Sequence, residues 1–113
     1  MAGDIIISRI PETVTVAVGS TLLGKSTRAL EVRENPYPPV IYVPRGDIDM
    51  SRLVRTNHKT SCPWKGQASY YSIKGDFANL ANAVWSYETP KPEMEIIAGH
   101  LAFYTDRVTV TRG

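Results

Sequence analysis

The sequence predicts a mainly β protein: one antiparallel β domain with a single short helix near residues 91–98. Three observations point there. Short runs of β-branched and aromatic residues alternate with polar ones. Pro, Gly, Asn or Asp separates these runs at close intervals, the spacing of antiparallel strands joined by turns. Only the segment from Pro90 to Gly99 carries helix signals.

Taken in order, residues 1–12 are expected to be an N-terminal tail with one apolar patch, Ile5 to Ile7, and residues 13–113 the β domain. In residues 13–18, TVTVAV, Val14, Val16 and Val18 face one way and Thr13, Thr15 and Ala17 the other, which predicts a half-buried strand. Gly19-Ser20 signals a turn, with Leu22 and Leu23 as strand residues beyond it. Leu30 and Val32 alternate with Glu31 and Arg33, a strand pattern that a short helix would also fit. Asn35-Pro36-Tyr37-Pro38-Pro39 breaks any helix and makes a stiff, extended approach to the next element. Residues 40–43 form a β-branched and aromatic run closed by Pro44 and Gly46. Residues 60–62, 69–73, 81–87, 101–104 and 108–111 all read as short strands. Between residues 90 and 99, Pro92 takes the place of a first-turn proline, Glu93 and Glu95 come early, and Gly99 ends the run. This short helix would deliver His100 to the start of the next strand.

A chain of 113 residues can hold one hydrophobic core without disulfides or metal staples. A formal net charge of +2, with acidic residues scattered among the basic ones, gives no clustered basic face, so nucleic acid is not an expected partner. No apolar run approaches the length of a membrane span. The opening MAGDIIISRIPET lacks the features of a signal peptide. Cys62 is the only cysteine and cannot make an internal disulfide, which suits a reducing compartment. The expected setting is the cytoplasm, with no membrane partner, as a monomer or a homodimer.

The densest chemistry lies in residues 58–73, HKTSCPWKGQASYYSI, where His58, Cys62, Trp64, Lys65, Tyr70 and Tyr71 fall together. This stretch also carries a family resemblance. The matching features are His58, Thr60, Cys62-Pro63, Lys65-Gly66, Ala68, Tyr70-Tyr71, Trp85-Ser86-Tyr87, Pro90, Ile97-Ala98-Gly99-His100, Ala102-Phe103-Tyr104 and Asp106-Arg107. The earlier Pro38-Pro39-Val40-Ile41-Tyr42-Val43-Pro44-Arg45 fits as well. On these residues the chain resembles the bacterial and fungal family catalogued as domain of unknown function 427. The resemblance implies folded-over sheets of the β-tent sort, akin to zinc-binding relatives whose cysteine pairs are missing here. That absence speaks against a structural zinc. One catalogue label implies nucleotidyltransferase-like chemistry.

Three motifs compete for function. Gly19-Ser20-Thr21-Leu22-Leu23-Gly24-Lys25-Ser26 matches the phosphate-loop pattern, but a true phosphate loop opens a sustained helix in a parallel sheet, and a proline cluster follows too soon. Asp47-Ile48-Asp49 would put two carboxylates on one face of a strand, the arrangement with which nucleotidyltransferases hold magnesium and a nucleotide. The bland alternative is a loop with local Asx hydrogen bonds. His58, Cys62 and His100 admit a Cys-His nucleophile or a three-ligand zinc site. Cys62 precedes a proline, no Cys-x-x-Cys is present, and single cysteines are more often buried as small hydrophobes.

The sequence therefore favours a small-ligand-binding domain, with or without catalysis. The ligand would be a small molecule with an anionic or ring-bearing part and no cofactor. Lys65 would hold the anion, Tyr71, Trp85, Tyr87 and Tyr104 would supply flat faces, and His58 and His100 would handle protons as catalytic groups. The alternatives are a magnesium-dependent nucleotidyltransferase using Asp47 and Asp49, and a non-catalytic protein-interaction module using the same aromatics.

Overall fold

The computed structural model describes residues 4–75 and 80–113. Among these the chain is mainly β, with ten strands in three small antiparallel sheets and only short 3-10 turns. The first sheet orders β1 (Ile5–Arg9), β4 (Leu30–Glu34) and β5 (Val40–Tyr42). The second orders β10 (Thr109–Arg112), β2 (Val14–Val18) and β3 (Thr21–Ser26). The third orders β6 (Leu53–Cys62), β7 (Gly66–Ile73), β8 (Val84–Ser86) and β9 (Leu101–Phe103).

The alternation in β2 is as expected: Val14, Val16 and Val18 are buried, while Thr15 and Ala17 are half-buried. The turn at Gly19-Ser20 leads straight into β3, so Gly24, Lys25 and Ser26 are strand residues and no helix follows the phosphate-loop pattern. Gly24 serves close packing instead. A Cβ there would lie 2.2 Å from the Asp47 carbonyl oxygen and 2.8 Å from Ile48 Cδ1, where the two chains form a bridge.

Three segments differ from expectation. Within the expected tail, residues 5–9 form strand β1, paired with β4 from Ile5–Glu34 to Arg9–Leu30. Ile5 and Ile7 pack on the core, which anchors a β-branched run too short to identify by period alone. Residues 1–3 of that tail lie outside the described residues. The expected helix is a kinked 3-10 run, Pro92–Ile97, with Pro92 at its start and non-helical backbone at Met94. Met94 and Ile97, three apart, are its two buried residues, as three residues per turn requires. Strand β6 reaches back to Leu53, well before residue 60, because it is a sheet edge whose exposed Arg55 and Lys59 hide the alternation.

Two apolar clusters occupy opposite faces of the third sheet. Tyr71 and Ile73 of β7 point into one, with Val14, Val16, Leu23, Val84, Leu101 and Phe103. Ala68 and Tyr70 point into the other, with Leu30, Val32, Tyr42, Ala102 and Ile97. Each fully buried aliphatic side chain stabilises the fold by about 1.5–3 kcal/mol. The first and third sheets meet at a seam where Val43 and Leu101 exchange backbone hydrogen bonds of 2.8 and 2.7 Å. The second cluster lies between these two sheets.

Candidate functional site

Strand parity places the site. On β4, Val32 and Glu34 share a face; on β5, Val40 and Tyr42 do; on β7 and β8, Tyr70 and Trp85 are paired neighbours. These side chains converge on a cleft of about 510 Å³ between the first and third sheets, which Lys65, Tyr87, Tyr104 and Tyr37 also line. The Trp85 indole N–H donates to the Tyr42 hydroxyl across the seam at 3.3 Å, and the two rings meet edge to face at 6.4 Å. Trp85 also lies 4.6 Å from the Tyr104 ring, and the Arg107 guanidinium lies 4.9 Å from the centre of that ring. Tyr70 shares a 2.9 Å hydrogen bond with the Thr60 hydroxyl.

Lys65 is the cation of this cleft's ion pair, and the β6–β7 hairpin turn holds it there. Gly66 has φ of 110°, and the Lys65 carbonyl accepts from the Lys91 N–H at 2.9 Å, so the segment before Pro92 packs over the hairpin tip. The Lys65 side chain is only 9% exposed. Its ammonium donates to Glu34 Oε1 at 2.5 Å and to Cys62 Sγ at 3.8 Å, and lies 5.9 Å from the centre of the Tyr87 ring. A buried ammonium needs such a partner, because burying the charge unpaired costs far more than burying it paired. Burial pushes the Tyr42 phenol up to about 12. Burial, together with the Tyr70 hydroxyl, pushes Tyr104 to a similar value of about 12. Burial also raises the Tyr87 phenol. These phenols therefore enter the cleft as neutral hydrogen-bonding groups at neutral pH.

The expected residues are divided among several places. Lys65, Trp85, Tyr87 and Tyr104 come together in the cleft. His58 lies at the exposed outer side of Tyr70, with its ring 4.4 Å from the tyrosine ring. Tyr71 points through the opposite face of β7, where its hydroxyl donates to Glu88 Oε2 at 2.5 Å and accepts from Arg45 at 3.1 Å. Glu88 also binds Arg45 at 2.7 Å and Arg55 at 2.9 Å. Burial opposes its charge, but Tyr71 and the two guanidiniums hold its carboxyl below the usual range. His100 borders a separate groove with Arg9 and Arg28, its Nδ1 3.2 Å from the Ala98 carbonyl oxygen.

Asp47 and Asp49 border one open groove, but each carboxylate has partners of its own. Asp47 accepts from Ser26 at 2.7 Å and from Arg28 at 3.1 Å. Asp49 accepts from the Ser51 N–H at 3.1 Å and its hydroxyl at 2.6 Å, the local Asx pattern of a loop. Those hydrogen bonds hold both carboxyls low. Among the described residues no group of three or more His, Cys, Asp or Glu is placed to hold a metal ion.

The lining residues that the sequence did not assign to a site include the polar or aromatic Glu34, Tyr37, Tyr42 and Tyr70. Tyr70 was discoverable only with the register of β7, since its neighbour Tyr71 takes the other face. Glu34 lies far from Lys65 in sequence, and no local pattern marks it.

Comparison with known proteins places the chain in one family. The model of the domain of unknown function (DUF427) family matches residues 6–112, and the chain belongs to that family. No curated protein matches it.

Proposed function

We propose that this member of the DUF427 family binds a small, ring-bearing molecule in the cleft between its first and third sheets. The observation that carries the proposal is the nearly buried Lys65 ammonium, paired with Glu34 at the floor of a chamber walled by Tyr42, Tyr70, Trp85 and Tyr87. The chamber falls within the about 300–1,000 Å³ of small-molecule sites, which are apolar and aromatic with a few convergent polar groups. Lys65 supplies a donor and Glu34 an acceptor side by side. A ring carrying an acceptor next to a donor, such as a cyclic amide or a nucleobase-like heterocycle, satisfies both. A fully anionic head fits less well, because Glu34 already neutralises the ammonium and would repel it. The aromatic walls supply the flat faces.

The test is a thermal-shift and calorimetric screen with heterocyclic amides, nucleobases, nucleosides and aromatic carboxylates, each with and without magnesium. A ligand that binds only the folded protein raises its melting temperature by mass action. A heterocyclic amide should bind without magnesium and lose at least about tenfold in affinity in Lys65→Met, where a charge-assisted hydrogen bond goes. A response confined to nucleotides with magnesium, abolished by Asp49→Asn and indifferent to Lys65→Met, would move the site to the Asp47–Asp49 groove.

A further inference from the structure

Trp85 and Tyr104 border more than the cleft. A second depression of about 310 Å³ adjoins it, and Tyr37, Pro38, Val40, Trp85 and Tyr104 line both. Beyond this shared wall the second chamber is bounded by Pro39, Ile41, Phe103, Thr105 and Val110. Among the described residues no charged one lines it. The two chambers thus differ in chemistry: the inner one carries an ion pair and phenols, the outer one aliphatic and aromatic surface. The outer chamber lies at the lower end of the volumes of single-ligand sites, room for a substituent rather than for a whole ligand.

From this geometry we infer that the ligand is a two-part molecule, a hydrogen-bonding ring seated over Lys65 and Glu34 that carries an apolar arm into the outer chamber. The inference rests on the proposed function and adds the class of ligand. The arm is short and uncharged, since water-stripped contact with Ile41, Phe103 and Val110 rewards only apolar atoms. Tyr37, 67% exposed, lines both chambers and would flank the linking atoms of such a ligand. Val110 and Thr105 line the outer chamber and not the inner one, so they bound the arm and not the ring.

The test compares 2-pyridone with its 4-propyl derivative by calorimetry on the full chain. The propyl compound should bind about tenfold or more tightly than the parent, a discounted share of the transfer of three methylene-sized groups out of water. Val110→Phe and Thr105→Phe fill the outer chamber from two different elements, a sheet edge and an exposed turn. Each should erase that gain while leaving the affinity for 2-pyridone unchanged. The Val110 methyl resonances of the unaltered protein should move with the propyl compound and not with the parent. If 2-pyridone binds but propyl adds nothing, or if the gain survives both substitutions, the two-part ligand is refuted and the inner chamber stands. If neither compound binds while the protein remains folded, the inner-chamber proposal fails and takes the two-part ligand with it.

Discussion

Replacing Glu34 by Gln tests how the cleft is held together. The substitution keeps shape and hydrogen-bonding capacity and removes one charge from the pair with Lys65. The Lys65 side chain is 9% exposed and that of Glu34 is 22% exposed, so the charge left behind is the more deeply buried one. Breaking a buried pair by removing one partner costs about 3–5 kcal/mol. The partial exposure of Glu34 screens some of this, and about 2–4 kcal/mol remains. Lys65→Met leaves a carboxylate that can turn to water, so its cost is smaller, about 1–2 kcal/mol. The double variant Glu34→Gln/Lys65→Met has no stranded charge and should be more stable than Glu34→Gln alone. Urea unfolding at neutral pH reads all three, and Glu34→Gln should lower the midpoint by about 1–2 M with an unchanged slope. A loss below about 0.5 kcal/mol for Glu34→Gln, or a larger loss for Lys65→Met, would refute the burial argument.

Other perturbations probe the frame around the cleft. The Glu88 carboxyl is held low, so its contribution is present above its unfolded value near 4.5 and is lost as pH falls through the folded value. Glu88→Gln should therefore destabilise the protein at pH 7 by about 1.5–3 kcal/mol and flatten the acid limb of stability against pH, both read by urea midpoints. Gly24→Ala should cost about 1–3 kcal/mol or more by thermal unfolding, because its Cβ would strike the Asp47 carbonyl. Gly46→Ala, whose Cβ would meet nothing nearer than Arg28 at 3.8 Å, should stay within about 0.5 kcal/mol of the parent. The Tyr42 phenol is raised, so its stabilisation is complete below its unfolded value near 10 and fades as pH rises toward about 12. Tyr42→Phe should reduce alkaline sensitivity, as followed by tyrosinate absorbance alongside unfolding.

How much of this was legible in the sequence depends on the range of the contact. The valines of β2 announce both strand and buried face, because period-two alternation is a local property. The same logic fails on β7, where both faces are buried and Tyr70 and Tyr71 look equivalent until pairing with β8 fixes which one meets Trp85. The seam between Val43 and Leu101 joins distant segments through backbone groups, which no side-chain pattern reveals. That seam carries His100 to the Arg9 and Arg28 groove while Trp85 faces the cleft, so two residues taken as partners are separated. Pro92 and Gly99 marked the ends of the short turn correctly, yet the kink at Met94 reflects packing of Met94 and Ile97 on the core.

A nitrogen–proton correlation spectrum during titration with 2-pyridone shows which groove of the protein takes the ring. The Trp85 indole signal would be assigned through Trp85→Phe. The expected result is a set of saturable shifts centred on that indole N–H and on the backbone of Lys65, Tyr42 and Tyr70, without magnesium, while the Asp47–Asp49 and His100 grooves stay still. Shifts centred on either of those grooves, or a spectrum unchanged at millimolar ligand, would contradict a ligand site in the Lys65–Trp85 cleft.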